Sequence, residues 1–354
     1  MSEDLDLYDL SLEELQSLVK DMGQPDYRAI QLWKWLYQHL TVEMKEMTNL
    51  PLPFRSQLVN TTSLDIREPV EIQYSQDNQT TKALFNLEAS NYIETVLMMY
   101  EKRRTLCIST QAGCAMGCVF CATGQMGFTR NLTTGEIVRQ VMFFARELAS
   151  KGDKITNVVF MGMGEPLHNY SNTIKALDIL THSDGFNLGA RKLTISTVGL
   201  VPAIRRYADE RRQTPLAVSL HAATDDERNK LIPVARRWPI ADLMDACHYY
   251  NQQTGRRLTF EWALIDGVND TIKQARLLGQ LIENLLCHVN LIPLNPTKEY
   301  GGRPPTPERV AVFQRELARY GVGSTIRVRR GIDIQAGCGQ LRDRVIGASG
   351  YPLS

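Results

Sequence analysis

No run of this chain approaches the ~18 consecutive apolar residues that a membrane span needs. The start, Met1-Ser2-Glu3-Asp4, is acidic where a secretory signal is basic and then apolar. A cytoplasmic protein with no membrane partner is therefore expected. A strong overall charge is also missing: 40 Lys and Arg face 39 Asp and Glu, so the net charge of +1 argues neither for nor against a polyanionic partner. Low-complexity tracts are absent too, and with 43% hydrophobic and 22% charged residues the composition carries no signature of disorder. Finally, the seven cysteines are odd in number and three fall within eight residues. That suits a metal site in a reducing compartment better than a secreted disulfide framework.

A chain of 354 residues allows one large domain or roughly two ordinary ones. Charge is uneven along it. Residues 1–21 carry seven acids against one Lys, and 303–343 carry eight Arg against four acids, including Arg327, Arg329 and Arg330. The basic stretch would suit a phosphate-facing surface, or equally a solvated face with counter-charges nearby.

Residues 10–40 read as helices. Ser11 followed by Glu14 is a capping box, Gly23-Gln24-Pro25 ends the first helix, and Leu32, Trp33, Leu36, Tyr37 and Leu40 mark the second. This apolar stripe either packs the small region's own core, the commoner outcome, or meets a partner. From about residue 80 the period shortens to that of strands, at 81–87, 92–100 and 105–110. Strand candidates then continue at 156–161, 191–197, 215–221, 257–265 and 287–293. They alternate with helix candidates at 134–150, 170–183, 201–208, 240–253 and 272–285, with 307–320 last. The expected fold is α/β: an incomplete (βα)6 barrel at 105–343, a helical N-terminal accessory domain with linker at 1–78, a short antiparallel β extension at 79–104, and a flexible tail at 344–354. In a barrel of this kind chemistry belongs at the C-terminal ends of the strands.

Cys114-Ala115-Met116-Gly117-Cys118-Val119-Phe120-Cys121 gives C-x-x-x-C-x-x-C in a loop between a strand and a helix. Three thiolates leave one iron of a [4Fe-4S] cluster open, whereas a closed zinc site needs a fourth ligand, which only Cys107 or a distant His could supply. The triplet, with Phe120 before its last Cys, resembles the radical S-adenosylmethionine signature. With Gly162-Met163-Gly164-Glu165-Pro166 and Cys338-Gly339-Gln340-Leu341, it resembles the RlmN/Cfr family of radical SAM RNA adenine methyltransferases over nearly the whole chain.

That resemblance implies a [4Fe-4S] cluster on Cys114, Cys118 and Cys121, and two molecules of S-adenosylmethionine per methylation. Gly164, Glu165, Ser196, Ser219, Leu220, His221 and Asn295 would bind the S-adenosylmethionine. It implies Cys338 as methyl carrier, Cys107 as the resolving thiol that forms a transient disulfide with Cys338, and Glu94 as proton acceptor. The expected substrate is an adenine of 23S rRNA at carbon 2, with tRNA a second one, and flavodoxin or ferredoxin donating electrons to a monomer. The chain departs from the family in having Gly337 where Ala is common, which should loosen the loop and leave the Cys338 thiol in place.

The chemistry has its own logic. Carbon 2 of adenine lies between two ring nitrogens and is electron-poor, so it cannot attack a sulfonium methyl. A cysteine can accept that methyl as a thiolate and then lose a hydrogen atom from it to a radical. Rivals are a Cfr-like methylation of carbon 8, a radical enzyme acting on a small molecule, and a zinc RNA-binding module. Cys247 and Cys287 match no motif and read as inert thiols.

Overall fold

The computed structural model describes residues 5–64, 67–87 and 91–341. The tail expected at 344–354 lies outside them. The N-terminal region begins with β1 (Leu5–Asp6), which pairs in parallel with β2 (Thr62–Ser63) and so ties its two ends together. Between them, α1 (Leu12–Asp21) starts at the capping box: the Ser11 hydroxyl accepts from the Glu14 N–H and the Glu14 carboxylate from the Ser11 N–H. Helix α2 (Tyr27–Tyr37) buries Leu32, Trp33, Leu36 and Tyr37; Tyr37 meets Tyr8 within the region, whereas Trp33 meets His182, so the apolar stripe is core that the region shares with the rest of the chain. Helix α3 (Leu52–Thr61) starts at Leu50-Pro51-Leu52-Pro53, which sequence marked only as a break; proline in the first turn loses no hydrogen bond there.

The strands that follow are β3 (Glu71–Tyr74), β4 (Thr80–Asn86), β5 (Tyr92–Met99), β6 (Arg104–Cys107), β7 (Gln111–Gly113), β8 (Phe128–Asn131), β9 (Asn157–Phe160), β10 (Leu193–Thr197), β11 (Leu216–Ser219), β12 (Leu258–Leu264), β13 (Cys287–Pro293) and β14 (Ser324–Ile326). Ten of them form one sheet in the order β14-β13-β12-β11-β10-β9-β6-β5-β4-β3. The run from β6 to β14 is parallel, and β5, β4 and β3 continue it antiparallel. The six core strands expected from sequence are all present. Sequence missed β3 and β14, short edge strands of three and four residues with little burial to pattern them.

Val158, Phe160, Ile195, Leu216, Val218, Phe260 and Leu291 are buried on one face of the parallel strands, while on the other face Val159, Thr194 and Ser196 are half-buried. Outside them lie α5 (Thr134–Ala149), α6 (Tyr170–Thr181), α7 (Val201–Asp209), α8 (Asp225–Leu231), α9 (Ile240–Thr254), α10 (Ile272–Ile282) and α11 (Pro307–Ala318), with the short α4 (Ala122–Gln125) before them in the chain. Of the outer helices, α8 is the one sequence did not anticipate. The N-terminal region docks on the start of α5, where Asp9 accepts from the Gly135 N–H and Asp6 pairs with Arg139, both at 2.5 Å. Two carboxylates there complement the partial positive charge of a helix N-terminus.

Candidate active site

The cysteine loop is closed by a ribbon that lies outside every strand expected from sequence. After β6 the chain leaves the sheet, and β7 pairs antiparallel with β8 on either side of the loop. The Cys114 N–H donates to Gly127 O at 2.7 Å, and the Cys121 N–H to Cys118 O at 3.1 Å. All three cysteines line one cavity. Burial pushes the Cys114 thiol up to about 12 and raises Cys118 and Cys121 as well. Among the described residues no three His, Cys, Asp or Glu gather tightly enough to hold a single metal ion. Three thiols that line one cavity would leave one iron of a [4Fe-4S] cluster open, as the cysteine spacing suggests.

The remaining wall of the cavity comes from the C-terminal ends of the parallel strands. Gly164, Glu165, Ser196, Ser219, His221 and Asn295 all line it, together with Cys338. Leu220 does not: its side chain is in the core and its N–H donates to Glu261 O at 3.1 Å. Gly164 has φ +100°, and a Cβ there would lie 2.5 Å from Gln111 Cβ, so the turn after β9 needs a glycine. The Glu165 carboxylate accepts from the Leu167 N–H at 3.0 Å and the Val198 N–H at 2.7 Å, and burial raises it to about 7. It braces two turns of the cavity wall. His221, at φ +59°, accepts at Nδ1 from the Ala263 N–H at 2.9 Å. Burial and the nearby Arg228 charge push it down to about 3, so it is neutral, with its proton on Nε2.

Cys107 at the end of β6 and Cys338 near the end of the described chain line a second, smaller cavity. It shares Met161, Ile292, Asn295, Arg327 and Cys338 with the first, so Cys338 stands between the cluster loop and Cys107. Both thiols are free. Burial pushes Cys107 up to about 12, the Cys338 charge adds to this, and Arg327 opposes it. The Cys338 loop is pinned on both sides. The Ala122 N–H donates to Gly339 O at 2.8 Å, Asn295 Nδ2 to Cys338 O at 3.1 Å, and Gln340 Nε2 to Pro296 O at 2.8 Å. A Cβ on Gly337 would lie 2.7 Å from Asn295 Nδ2, so here the glycine lets Asn295 close on the loop rather than loosening it.

Glu94 faces neither cavity. It is 1% exposed and pairs with Lys82 at 2.8 Å, while the Ser109 hydroxyl donates to its carbonyl. Two lining residues escaped sequence reasoning. Glu261, on β12, accepts from Asn290 Nδ2 at 2.9 Å through Oε1 and leaves Oε2 buried without a partner; burial raises its carboxyl. Arg327 lines both cavities and is held strongly protonated, first by the Cys338 charge. A charged residue amid the apolar run of β12 was the available signal for Glu261. For Arg327 it was the basic run, which divides in the structure: Arg329 donates to Asn295, Arg330 lies over the Tyr100 ring, and Arg309 pairs with Asp266 and Asp270. Cys247 and Cys287 lie outside both cavities.

Comparison with known proteins matches residues 108–276 to the radical SAM superfamily and residues 5–64 to the ribosomal RNA large subunit methyltransferase N-terminal domain. The chain is 52% identical over 339 residues to dual-specificity RNA methyltransferase RlmN 1 of Myxococcus xanthus, covering 96% of this chain and 94% of that protein. It is 47% identical over 355 residues to a probable dual-specificity RNA methyltransferase RlmN of Chloroflexus aurantiacus, covering 96% and 93%. A radical SAM methyltransferase from Sphaerobacter thermophilus superposes with a TM-score of 0.92 at 49% identity, covering 96% of this chain and 99% of that one.

Proposed function

This chain belongs to the RlmN family of radical SAM RNA methyltransferases, and from that premise we propose that it methylates carbon 2 of an adenine in the peptidyl transferase centre of 23S rRNA. The adenine next to the anticodon of certain tRNAs is a second substrate, as the dual-specificity names of its relatives suggest. The observation that carries the reading is the meeting of Cys107 and Cys338, distant in sequence, in a cavity continuous with the one that the three loop cysteines line.

Cys114, Cys118 and Cys121 would hold the cluster, which supplies the electron that cleaves S-adenosylmethionine to a 5′-deoxyadenosyl radical. The turn at Gly164, Ser196, Ser219, His221 and Asn295 would orient that molecule, with His221 Nε2 as a neutral donor. Cys338 accepts a methyl as a thiolate, and Arg327 lines both cavities beside it. Hydrogen abstraction by the 5′-deoxyadenosyl radical would make the methyl a methylene radical that adds to carbon 2. With the unpaired electron returned to the oxidised cluster and the carbon-2 proton lost, the Cys107 thiolate attacks the Cys338 sulfur. The carbon–sulfur bond breaks, the electron pair goes to the product carbon, which takes up a proton to become the methyl group, and a disulfide remains that a thiol reductant returns to two thiols; flavodoxin or ferredoxin would donate the electron that the cluster passes on.

For the proton that leaves carbon 2, the family resemblance favours Glu94, which requires its pair with Lys82 to open. Glu261 is the second reading, favoured by the unpartnered Oε2 in the cavity. We further assign the chain to the cytoplasm and to a monomeric state. No helix among the described residues is long and apolar enough to cross a membrane. Mass analysis of nucleosides from rRNA and tRNA of a strain lacking the gene tests the whole reading. Loss of 2-methyladenosine from both is expected. Loss of 8-methyladenosine instead would support a Cfr-like activity, which the RlmN names of the relatives do not favour.

A further inference from the structure

Arg228 on α8 is 1% exposed, and no carboxylate is among its hydrogen-bond partners. Its guanidinium donates to three carbonyls: Val198 at 2.5 Å, Leu220 at 3.3 Å and Ser219 at 3.5 Å. These belong to the ends of β10 and β11, where Ser196, Ser219 and His221 reach the cavity. The Val198 peptide is thus gripped from both sides, its carbonyl by Arg228 and its N–H by Glu165. The backbone at Gly199, with φ +109°, runs so close that a Cβ would meet Arg228 Nη2 at 3.1 Å.

The same helix backs the cysteine loop. Val119, the residue after Cys118, donates its N–H to Leu231 O at 3.0 Å, and Pro233 packs under Gly117. Burial pushes Arg228 down to about 10, and Cys118 is the first of the charges that pull it back up. Asp225, on the same helix, accepts from the Ile240 N–H at 2.8 Å and offsets part of the Arg228 charge without a hydrogen bond to it. A buried cation whose hydrogen-bond partners are all carbonyls has no contact ion pair, and a charge in a low-dielectric interior acts on neighbours more strongly than in water.

We propose that Arg228 is a positioning residue with two duties: it fixes the strand ends that hold S-adenosylmethionine, and as the buried counter-charge of the cysteine loop it raises the reduction potential of the cluster. The inference rests on the proposed cluster at Cys114, Cys118 and Cys121. A cubane with three thiolates is net anionic and becomes more so on reduction, so a fixed cation nearby stabilises the reduced form more than the oxidised one.

The test compares reconstituted wild type with Arg228→Gln, Arg228→Met and Arg228→Lys by redox titration followed with electron paramagnetic resonance, and by S-adenosylmethionine binding. The neutral variants should take up a normal iron load and titrate at a more negative potential. Arg228→Lys should keep the wild-type potential yet bind S-adenosylmethionine several-fold more weakly, because one ammonium cannot span three carbonyls. An unchanged potential in either folded, iron-loaded neutral variant overturns the proposal. If both neutral variants fail to fold or to hold iron, retention of the cluster by Arg228→Lys supports the charge role, and its loss there too overturns it. Wild type that binds no cluster would instead sink the reading of the cysteines before any variant is compared.

Discussion

The cysteine loop and the pair Cys107 with Cys338 sit in adjoining cavities, yet they are built in opposite ways. The loop is local: three candidate ligands within eight residues, closed by the β7–β8 ribbon and needing only a turn's worth of backbone to form. The pair is assembled from the first parallel strand and the far end of the chain, and exists only if every crossover of the sheet is in place. Local chemistry should therefore fail by loss of ligands, and assembled chemistry by stalling between steps.

The largest break in that comparison is Cys114→Ala, Cys118→Ala or Cys121→Ala. Each should abolish reductive cleavage of S-adenosylmethionine while changing RNA affinity little, since phosphate contacts supply most of that affinity. Assays run anaerobically with reconstituted iron read both quantities, and intact cleavage would remove the cluster from these residues.

Next comes Cys107→Ala. The cluster, the methyl group on Cys338 and radical formation should persist, while the reaction stops at an enzyme–RNA thioether. Denaturing gels should show an RNase-sensitive, slower band that Cys107→Ala/Cys338→Ala lacks. Normal multiple turnover by Cys107→Ala would mean that the two thiols never form their bridge.

The identity of the proton acceptor sharpens the comparison at smaller magnitude. Glu94→Gln should lower turnover roughly 100-fold, in the range for loss of a general base, with accumulation of adduct even though Cys107 is present. It strands Lys82 in the interior, which costs about 3–5 kcal/mol, so rates need normalising to folded enzyme by thermal melts. If Glu261→Gln produces that loss and Glu94→Gln does not, the base is the residue that lines the cavity.

The smallest effect concerns pH and stability. His221 is held neutral, with a folded value of about 3 against 6.5 for a free histidine. The unfolded chain therefore binds more protons between these values. The stabilisation is fully present above about pH 6.5 and is lost as pH falls, at up to about 1.4 kcal/mol per pH unit. Urea unfolding from pH 7 to pH 5 should show this slope in wild type and a shallower one in His221→Gln.

How much was legible follows from what each feature depends on. The six core strands, the helices between them and the Ser11 capping box follow from periodicity and side-chain chemistry within about a dozen residues. Edge strands β3 and β14 and helix α8 are three to seven residues long, too short for a period to show. The cysteine spacing determined the candidate metal loop, since the ligands of one site lie on one stretch of chain, and the family resemblance supplied the remaining site residues. Only the tertiary structure decided that Glu94 is locked to Lys82, that Glu261 and Arg327 enter the cavities, and that Arg228 joins two strand ends to the cysteine loop. Each of those outcomes depends on which strand lies next to which, and on what burial does to a charge once they are side by side. A single stretch of sequence carries neither.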